Sequence, residues 1–315
     1  MRKGEATMKT RTDLHEAIRF GSVRLFLLLA VILTVAGVNT ASAQSLNWEG
    51  QMGVFVTPLA YTVPSTDKGF GRPVVAYHYL NAGKVLGEFH QASVTVGVFG
   101  RVDFGYTRTL HENGTTAGLS SLWSRGFNTF HGKVNFLRET RTWRPALSAG
   151  FVVRSQVQNV GGVIQGQKTT NEDFYVVATK TVTRIRQVPL VFNLGFKDTN
   201  ASILGLAGNA PAYQGRLFGA AAFALRGPRR STILLGSEVL QEPRNVQGLP
   251  GVVIPTTVTY AVRILPGGAL PLRGWNVESP KLTIDLGVAQ AVGNIAPGLN
   301  LQARHQFALG VSYGF

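Results

Sequence analysis

From Leu46 onward, apolar residues return at every second position, and no stretch sustains the spacing of an amphipathic helix. A segment with that rhythm presents one apolar face and one polar face, which is the pattern of a strand. Val102, Phe104 and Tyr106 alternate with Asp103, Gly105 and Thr107, and Leu190, Phe192, Leu194 and Phe196 alternate with Val191, Asn193 and Gly195. The same beat runs through 147–153, 258–264 and 282–288. It predicts twelve strands, near 73–80, 90–99, 101–109, 128–137, 147–157, 173–184, 188–197, 216–225, 231–240, 256–265, 281–290 and 305–315. Tight connections at Gly100, at Arg186-Gln187 and at Gly227-Pro228 fall between long ones at 110–127, 198–215 and 241–255, the asymmetry of a membrane barrel. The connection across 266–280 is long although it lies on the short side. The segment 46–57 also alternates, through Trp48, Met52, Val54 and Val56. A thirteenth strand breaks the even count, so this segment is expected inside the barrel or as a short extra strand.

A soluble β-sandwich shows similar alternation. The end of the chain decides between the two. Phe307, Leu309, Val311, Tyr313 and Phe315 occupy every second position back from the last residue. This resembles the terminal assembly signal that the barrel assembly machinery reads on outer-membrane proteins. Only 15% of residues are charged, fewer than a soluble enzyme carries, and 37 glycines supply turns. With no Cys, disulfides, thiolate metal sites and Cys nucleophiles are excluded.

The N-terminus reads as an export signal. Arg2, Lys3, Lys9, Arg11, Arg19 and Arg24 precede an apolar run from Leu25 to Val38, followed by Ala41-Ser42-Ala43. The run is too short to span a bilayer as a helix, so cleavage after Ala43 is expected. This divides the chain into a signal peptide at 1–43, an N-terminal plug or extra strand at 44–72, and a barrel at 73–315. The leader holds six basic and three acidic residues, so of the formal +15 the mature chain keeps 25 basic against 13 acidic, or +12. No Lys/Arg run exceeds two residues, which argues against a nucleic-acid arm, and scattered cations suit lipopolysaccharide phosphates at the rim.

If the apolar set faces lipid, the alternate set faces the lumen, and it includes Arg101, Asp103, His131, Lys133, Arg154, Lys197, Glu238, Arg263 and Asp285. Both signs are present, as in a salt-bridged, partly filled interior, and the excess of bases hints at an anionic solute or polysaccharide. Small residues on the same face (Gly105, Ala261, Gly287, Ala308, Gly310) leave open space or let the N-terminal segment pack against the wall. Tyr77, Tyr79, Tyr106, Trp143, Tyr175, Tyr260, Tyr313 and Phe315 fall near strand ends and read as interfacial girdles.

Catalytic constellations are missing. The His residues are scattered singly, and neither G-x-S-x-G, H-E-x-x-H nor a P-loop occurs. His131 with a hydroxyl across the lumen, such as Ser148, is the one candidate for a lipid-modifying enzyme. No enzyme activity, cofactor or metal is expected.

Residues Gly50 to Ala60, with their Gly, apolar, Thr-Pro and Ala positions, resemble the N-terminal motif of barrel lipoproteins associated with exopolysaccharide export. The lipobox Cys of that group is missing. Tyr77 to Gly83, Arg101 to Arg108 and Phe127 to Lys133 are similar to an uncharacterised family of Gram-negative outer-membrane proteins, a resemblance that spans nearly the whole mature chain. It implies an outer-membrane barrel and carries no activity. The reading is thus a single antiparallel transmembrane β-barrel of about 12 strands (10 to 14) in the outer membrane. Its expected function is passive porin-like transport or structural support, with an accessory role in polysaccharide export implied by the first resemblance. The alternatives to it are an outer-membrane lipid-modifying enzyme and a surface adhesin or receptor acting through the loops at 110–127 and 198–215.

Overall fold

The structure is a computed structural model that describes residues 45–112, 114–115, 121–182, 188–228, 231–266, 270–272, 275–277, 281–292 and 306–315. The signal peptide, with Ala41 and Ala43, and the turn at Arg186-Gln187 lie outside the described residues.

Twelve antiparallel strands close into one barrel. In chain order they are β1 (Val74–Asn81), β2 (Glu88–Val98), β3 (Val102–Glu112), β4 (Phe127–Leu137), β5 (Ala146–Gln158), β6 (Lys168–Val182), β7 (Leu190–Ala201), β8 (Asn209–Arg226) and β9 (Thr232–Leu240). A hairpin, β10 (Asn245–Val246) and β11 (Leu249–Val253), precedes β12 (Thr256–Leu265); a second, β13 (Leu270–Leu272) and β14 (Trp275–Val277), precedes β15 (Leu282–Val292) and β16 (Gln306–Gly314). Each barrel strand pairs with its sequence neighbours, and β16 closes the ring on β1 from Val74↔Gly314 to Asn81↔Phe307. Closure leaves no unpaired edge, which is what permits a sheet to sit in lipid.

The pleat sorts the residues. On β2, Phe89, Gln91, Ser93 and Thr95 are buried inside while Ala92 and Val94 lie outside. Around the barrel the outer face shows Phe104, Leu110, Phe130, Phe151, Phe174, Phe192, Leu194, Leu217 and Phe223, with Leu194 65% exposed. Phe307, Leu309, Val311, Tyr313 and Phe315 share this face on the closing strand. Bulges interrupt the β5–β6 ladder between Arg154 and Val157 and the β7–β8 ladder between Thr199 and Ala201. At the first, Gln156 takes a positive φ of 64°, and the extra residue puts both Arg154 and Val157 inside.

Some strands run further than hydropathy suggests. β6, β7 and β8 hold 15, 12 and 18 residues, and the added ends of β6 and β7 are polar, with Lys168-Thr169-Thr170 and Asp198-Thr199-Asn200. The connections at 113–126 and 202–208 are correspondingly shorter than the loops expected from sequence. Between β2 and β3 the turn is tight, with Phe99 and Gly100 both at positive φ (53° and 63°).

Residues 45–63 do not join the barrel ladder. They fold inside it as an irregular plug held by short internal bonds, among them Trp48 N–H to Phe55 O (2.7 Å) and Leu59 N–H to Met52 O (3.0 Å). Ser45, Asn47, Thr57, Ala60 and Val63 have no exposed surface. On the loop side Trp48 and Phe55 pack with Phe89 and Trp123 under Leu204 and Leu206. Above them Ala207, Val246 and Ile254 form a further apolar cap. No helix among the described residues is long and apolar enough to cross a membrane.

Candidate functional site

The plug has no regular secondary structure, so most of its backbone groups must find partners elsewhere. The barrel wall supplies them. Glu238 on β9 accepts the N–H groups of Phe55 (2.8 Å), Val56 (3.1 Å) and Thr57 (2.7 Å) and the Thr57 hydroxyl (2.6 Å). Three successive amides converging on one carboxylate make an anion nest, here filled from the wall.

Arg263 on β12 binds Asp285 on β15 (Nε to Oδ1 2.7 Å) and also donates to the carbonyls of Gly53 (2.9 Å) and Val54 (2.8 Å). Asp285 in turn accepts the Ser45 hydroxyl at 2.9 Å. Lys133 on β4 sits 3.5 Å from Asp103 on β3 and donates to the carbonyls of Met52 (3.2 Å) and Leu59 (3.1 Å), while Asp103 accepts the Val63 N–H at 3.1 Å. Both ion pairs join residues directly opposite in the ladder, Asp103↔Lys133 and Arg263↔Asp285. Neutral groups complete the lining: Asn135 donates to Ala60 O (2.7 Å), Asn193 to Pro58 O (3.0 Å), Thr95 to Gly50 O (2.6 Å), and Tyr175 accepts from Gln51 Nε2 (2.8 Å).

The longest network runs sideways. Arg154 on β5 binds Glu49 of the plug (2.5 Å) and Asp173 on β6 (2.8 Å); Lys197 on β7 lies 3.9 Å from Asp173 and 3.7 Å from Glu242, which follows β9. Thr199 also donates its hydroxyl to Asp173. Burial pushes the Glu49 carboxyl up against the pull of Arg154. Burial likewise pushes Glu242 up to about 7, opposed by Lys197. A cavity of about 20 Å³ beside Glu49, Gln51, Asp173, Tyr175 and Lys197 has room for about one water molecule.

Close packing depends on small wall residues. A Cβ on Gly310 would lie 2.6 Å from the His78 ring, and one on Gly287 would touch Phe55 at 3.4 Å. Ala308 packs in the same cluster as Phe55 and Trp48.

Asp103, His131, Lys133, Arg154, Lys197, Glu238, Arg263 and Asp285 are all buried inside the barrel. Arg101 is not on the wall: it lies in the β2–β3 turn, half-buried, donating to the carbonyls of Asn135 and Phe136 at 3.4 Å each. The strand begins one residue later, so its pleat does not orient Arg101. His131 meets Thr95 (3.3 Å) rather than Ser148, whose hydroxyl donates to Ala60 O. Tyr175 is no girdle residue, being 2% exposed within the lumen. Asp173 was missed, although it shares the strand parity of Tyr175 and Val177. Glu242 continues the inward parity of Glu238 and Leu240 past the end of β9, whereas Glu49 carries no periodic signal that could have found it.

A closed ring of paired strands with an apolar exterior and a polar interior that holds residues 45–63 defines a transmembrane β-barrel of the outer-membrane type. No family model matches the chain, and none of the curated proteins matches it. Among solved structures it is similar to the KdgM porin, with 9% identity, a TM-score of 0.42, and coverage of 77% of this chain and 99% of that one. An outer membrane channel from Pseudomonas putida F1 gives 9%, 0.46, 82% and 100% for the same quantities. The translocator domain of the autotransporter NalP from Neisseria meningitidis gives 13%, 0.39, 78% and 89%.

Proposed function

We propose that the protein is an outer-membrane channel held shut by its own N-terminal plug, and that solute passes only when the plug is displaced. One observation carries this reading: the wall facing the plug is built to be wetted. Gln91, Ser93, Thr95, Thr107, Thr109, Thr129, Asn135, Asn193, Thr199, Thr259, Thr283 and Ser312 all point inward. A barrel that served only as a rigid scaffold would gain more from an apolar core, since burying polar groups at best breaks even against apolar packing. A wall of hydroxyls and amides exchanges plug for water with little penalty.

Among the described residues the buried strand charges are Asp103, Asp173, Glu238 and Asp285 against Lys133, Arg154, Lys197 and Arg263, four of each sign. The balance removes the basis for an anion preference, and the solute class that fits is hydrophilic, with neither charge favoured. In this reading both barrel termini face the periplasm, and the 113–126, 159–167, 202–208 and 241–255 connections face outward, beside lipopolysaccharide.

Planar-bilayer recording tests the proposal. The wild-type protein is expected to be nearly silent, and a variant lacking 45–63 to give stepwise ion currents. If that deletion does not refold, Glu238→Ala replaces it, with flickering openings expected. A folded, heat-modifiable deletion variant, or a folded Glu238→Ala variant used in its place, that conducts no more than the wild type would overturn the channel reading.

A further inference from the structure

Five ionisable groups form one chain along the inside of the barrel: Glu242 outside β9, Lys197 on β7, Asp173 on β6, Arg154 on β5 and Glu49 of the plug, with successive separations of 3.7, 3.9, 2.8 and 2.5 Å. Glu242 begins the 241–255 segment, whose Val246 and Ile254 pack into the apolar cap over the mouth. Glu49 belongs to the plug. Three carboxylates therefore share two buried cations, and the outermost and innermost of the three belong to two separate closing elements. One Glu242 oxygen has no hydrogen-bond partner, although the residue is 4% exposed. Arg216 and Arg244 are the other charges near Glu242, but both reach solvent, where their influence is screened.

We propose that the outer 241–255 segment and the plug compete for Lys197 and Arg154, so that seating the ionised Glu242 loosens the plug and a proton on Glu242 lets both closures sit together. This rests on the plug being the gate of the channel. The physical reason is the shortage of cation: with Glu242 charged, Asp173 and Glu49 must share what Lys197 does not give to Glu242, and the buried like charges repel. Coupling of this kind is reciprocal, so loss of the plug tightens the outer segment equally. Because Glu242 is held near 7 against an ordinary 4.5, its proton is retained in the folded state between those values. Joint closure is thus firmest at acid pH and weakens as pH rises through that window.

The chain has no Cys, so a single Ser45→Cys, nearly isosteric at a fully buried position, reports plug release through its rate of alkylation by a maleimide. Rates are normalised to the unfolded protein at each pH to remove the thiol's own ionisation. At pH 8.5, adding Glu242→Gln is expected to slow labelling about tenfold, because one competitor for the cations is gone. At pH 5.5, where Glu242 is already protonated, the two proteins are expected to label alike. Lys197→Met is expected to label faster at pH 8.5; if it fails to fold, the conservative Glu242→Gln comparison decides alone. Equal or faster labelling of Glu242→Gln at pH 8.5 would mean that the outer segment braces the plug or ignores it, and would overturn the proposal. A plug that responds as expected in a protein whose plug-free variant never conducts would leave the coupling intact and sink only the channel reading.

Discussion

Replacing Glu238 by Ala removes the acceptor for three amides and a hydroxyl at once, and the consequence can be worked from the geometry. The contacts, at 2.6 to 3.1 Å, are charge-assisted, and each buried donor left unsatisfied costs about 1–3 kcal/mol. Four donors set an upper limit of about 12 kcal/mol. Two effects cut it down: the variant no longer buries a carboxylate, which itself costs several kcal/mol, and the vacated space admits water to some of the amides. The net loss is placed at about 3–5 kcal/mol, the range found when one partner of a buried charged contact is deleted. That is a gain of roughly two to three and a half orders of magnitude in the plug-displaced population. Hydrogen exchange on a peptide covering 53–59 reads it directly, with protection of the Phe55, Val56 and Thr57 amides falling by that factor. The barrel ladder serves as internal control and keeps its protection. A drop below about fivefold in a folded protein would refute the reasoning, because Glu238 would then not be what holds the segment.

Gly310→Val forces a side chain to within 2.6 Å of the His78 ring, which is tied to Leu46 O (3.1 Å) and packed edge-on against Phe55; faster proteolysis of the plug with an unchanged heat-modifiable barrel is expected. Leu194→Arg puts a cation on the outer face of β7, where it costs about 2–4 kcal/mol at the bilayer midplane. Urea unfolding from lipid vesicles should show that loss, and an unchanged midpoint would mean that this face meets water rather than lipid.

Period-two hydropathy located all twelve strands because each carries a clean change of polarity between faces, and the aromatic alternation from Phe307 to Phe315 marked the closing strand. Strand ends were less legible: Asp198, Thr199 and Ala201 pair with Gly215, Gln214 and Asn209 beyond the apolar belt, across a register shift, where alternation of hydropathy has stopped. Inward-facing charges within a belt, such as Lys133 or Asp285, follow from parity alone. Arg101 fails that rule because it sits in a turn, and Gln156 shows how a single bulge resets the count. The plug contacts were beyond reach, since they pair irregular backbone with side chains far away in sequence, Thr57 with Glu238 or Gly53 with Arg263. Nothing local encodes such a match.

The distribution of charge between wall and plug argues that the proposed closed state is built around backbone rather than around side-chain pairing. Residues 45–63 contain a single charged side chain, Glu49, yet they are enclosed by eight buried strand charges. Asp103, Lys133, Glu238 and Arg263 bond plug carbonyls and amides, whereas Asp285 and Arg154 bond the plug only through its side chains. When the plug leaves, Lys133 keeps Asp103, Arg263 keeps Asp285, and Arg154 and Lys197 both keep Asp173, each on an adjacent strand. Withdrawal therefore strands few ions. Glu238 is different: its carboxylate is spent on plug donors, and the amides it holds lose their acceptor as soon as the segment moves. In the proposed gate, the free-energy difference between shut and open thus concentrates on two carboxylates, Glu238 of β9 and Glu49 of the plug, which faces β5. Of the two, Glu49 is linked through Arg154, Asp173 and Lys197 to Glu242 of the 241–255 segment, so in the proposed gate its side of the plug is the one that segment can tune.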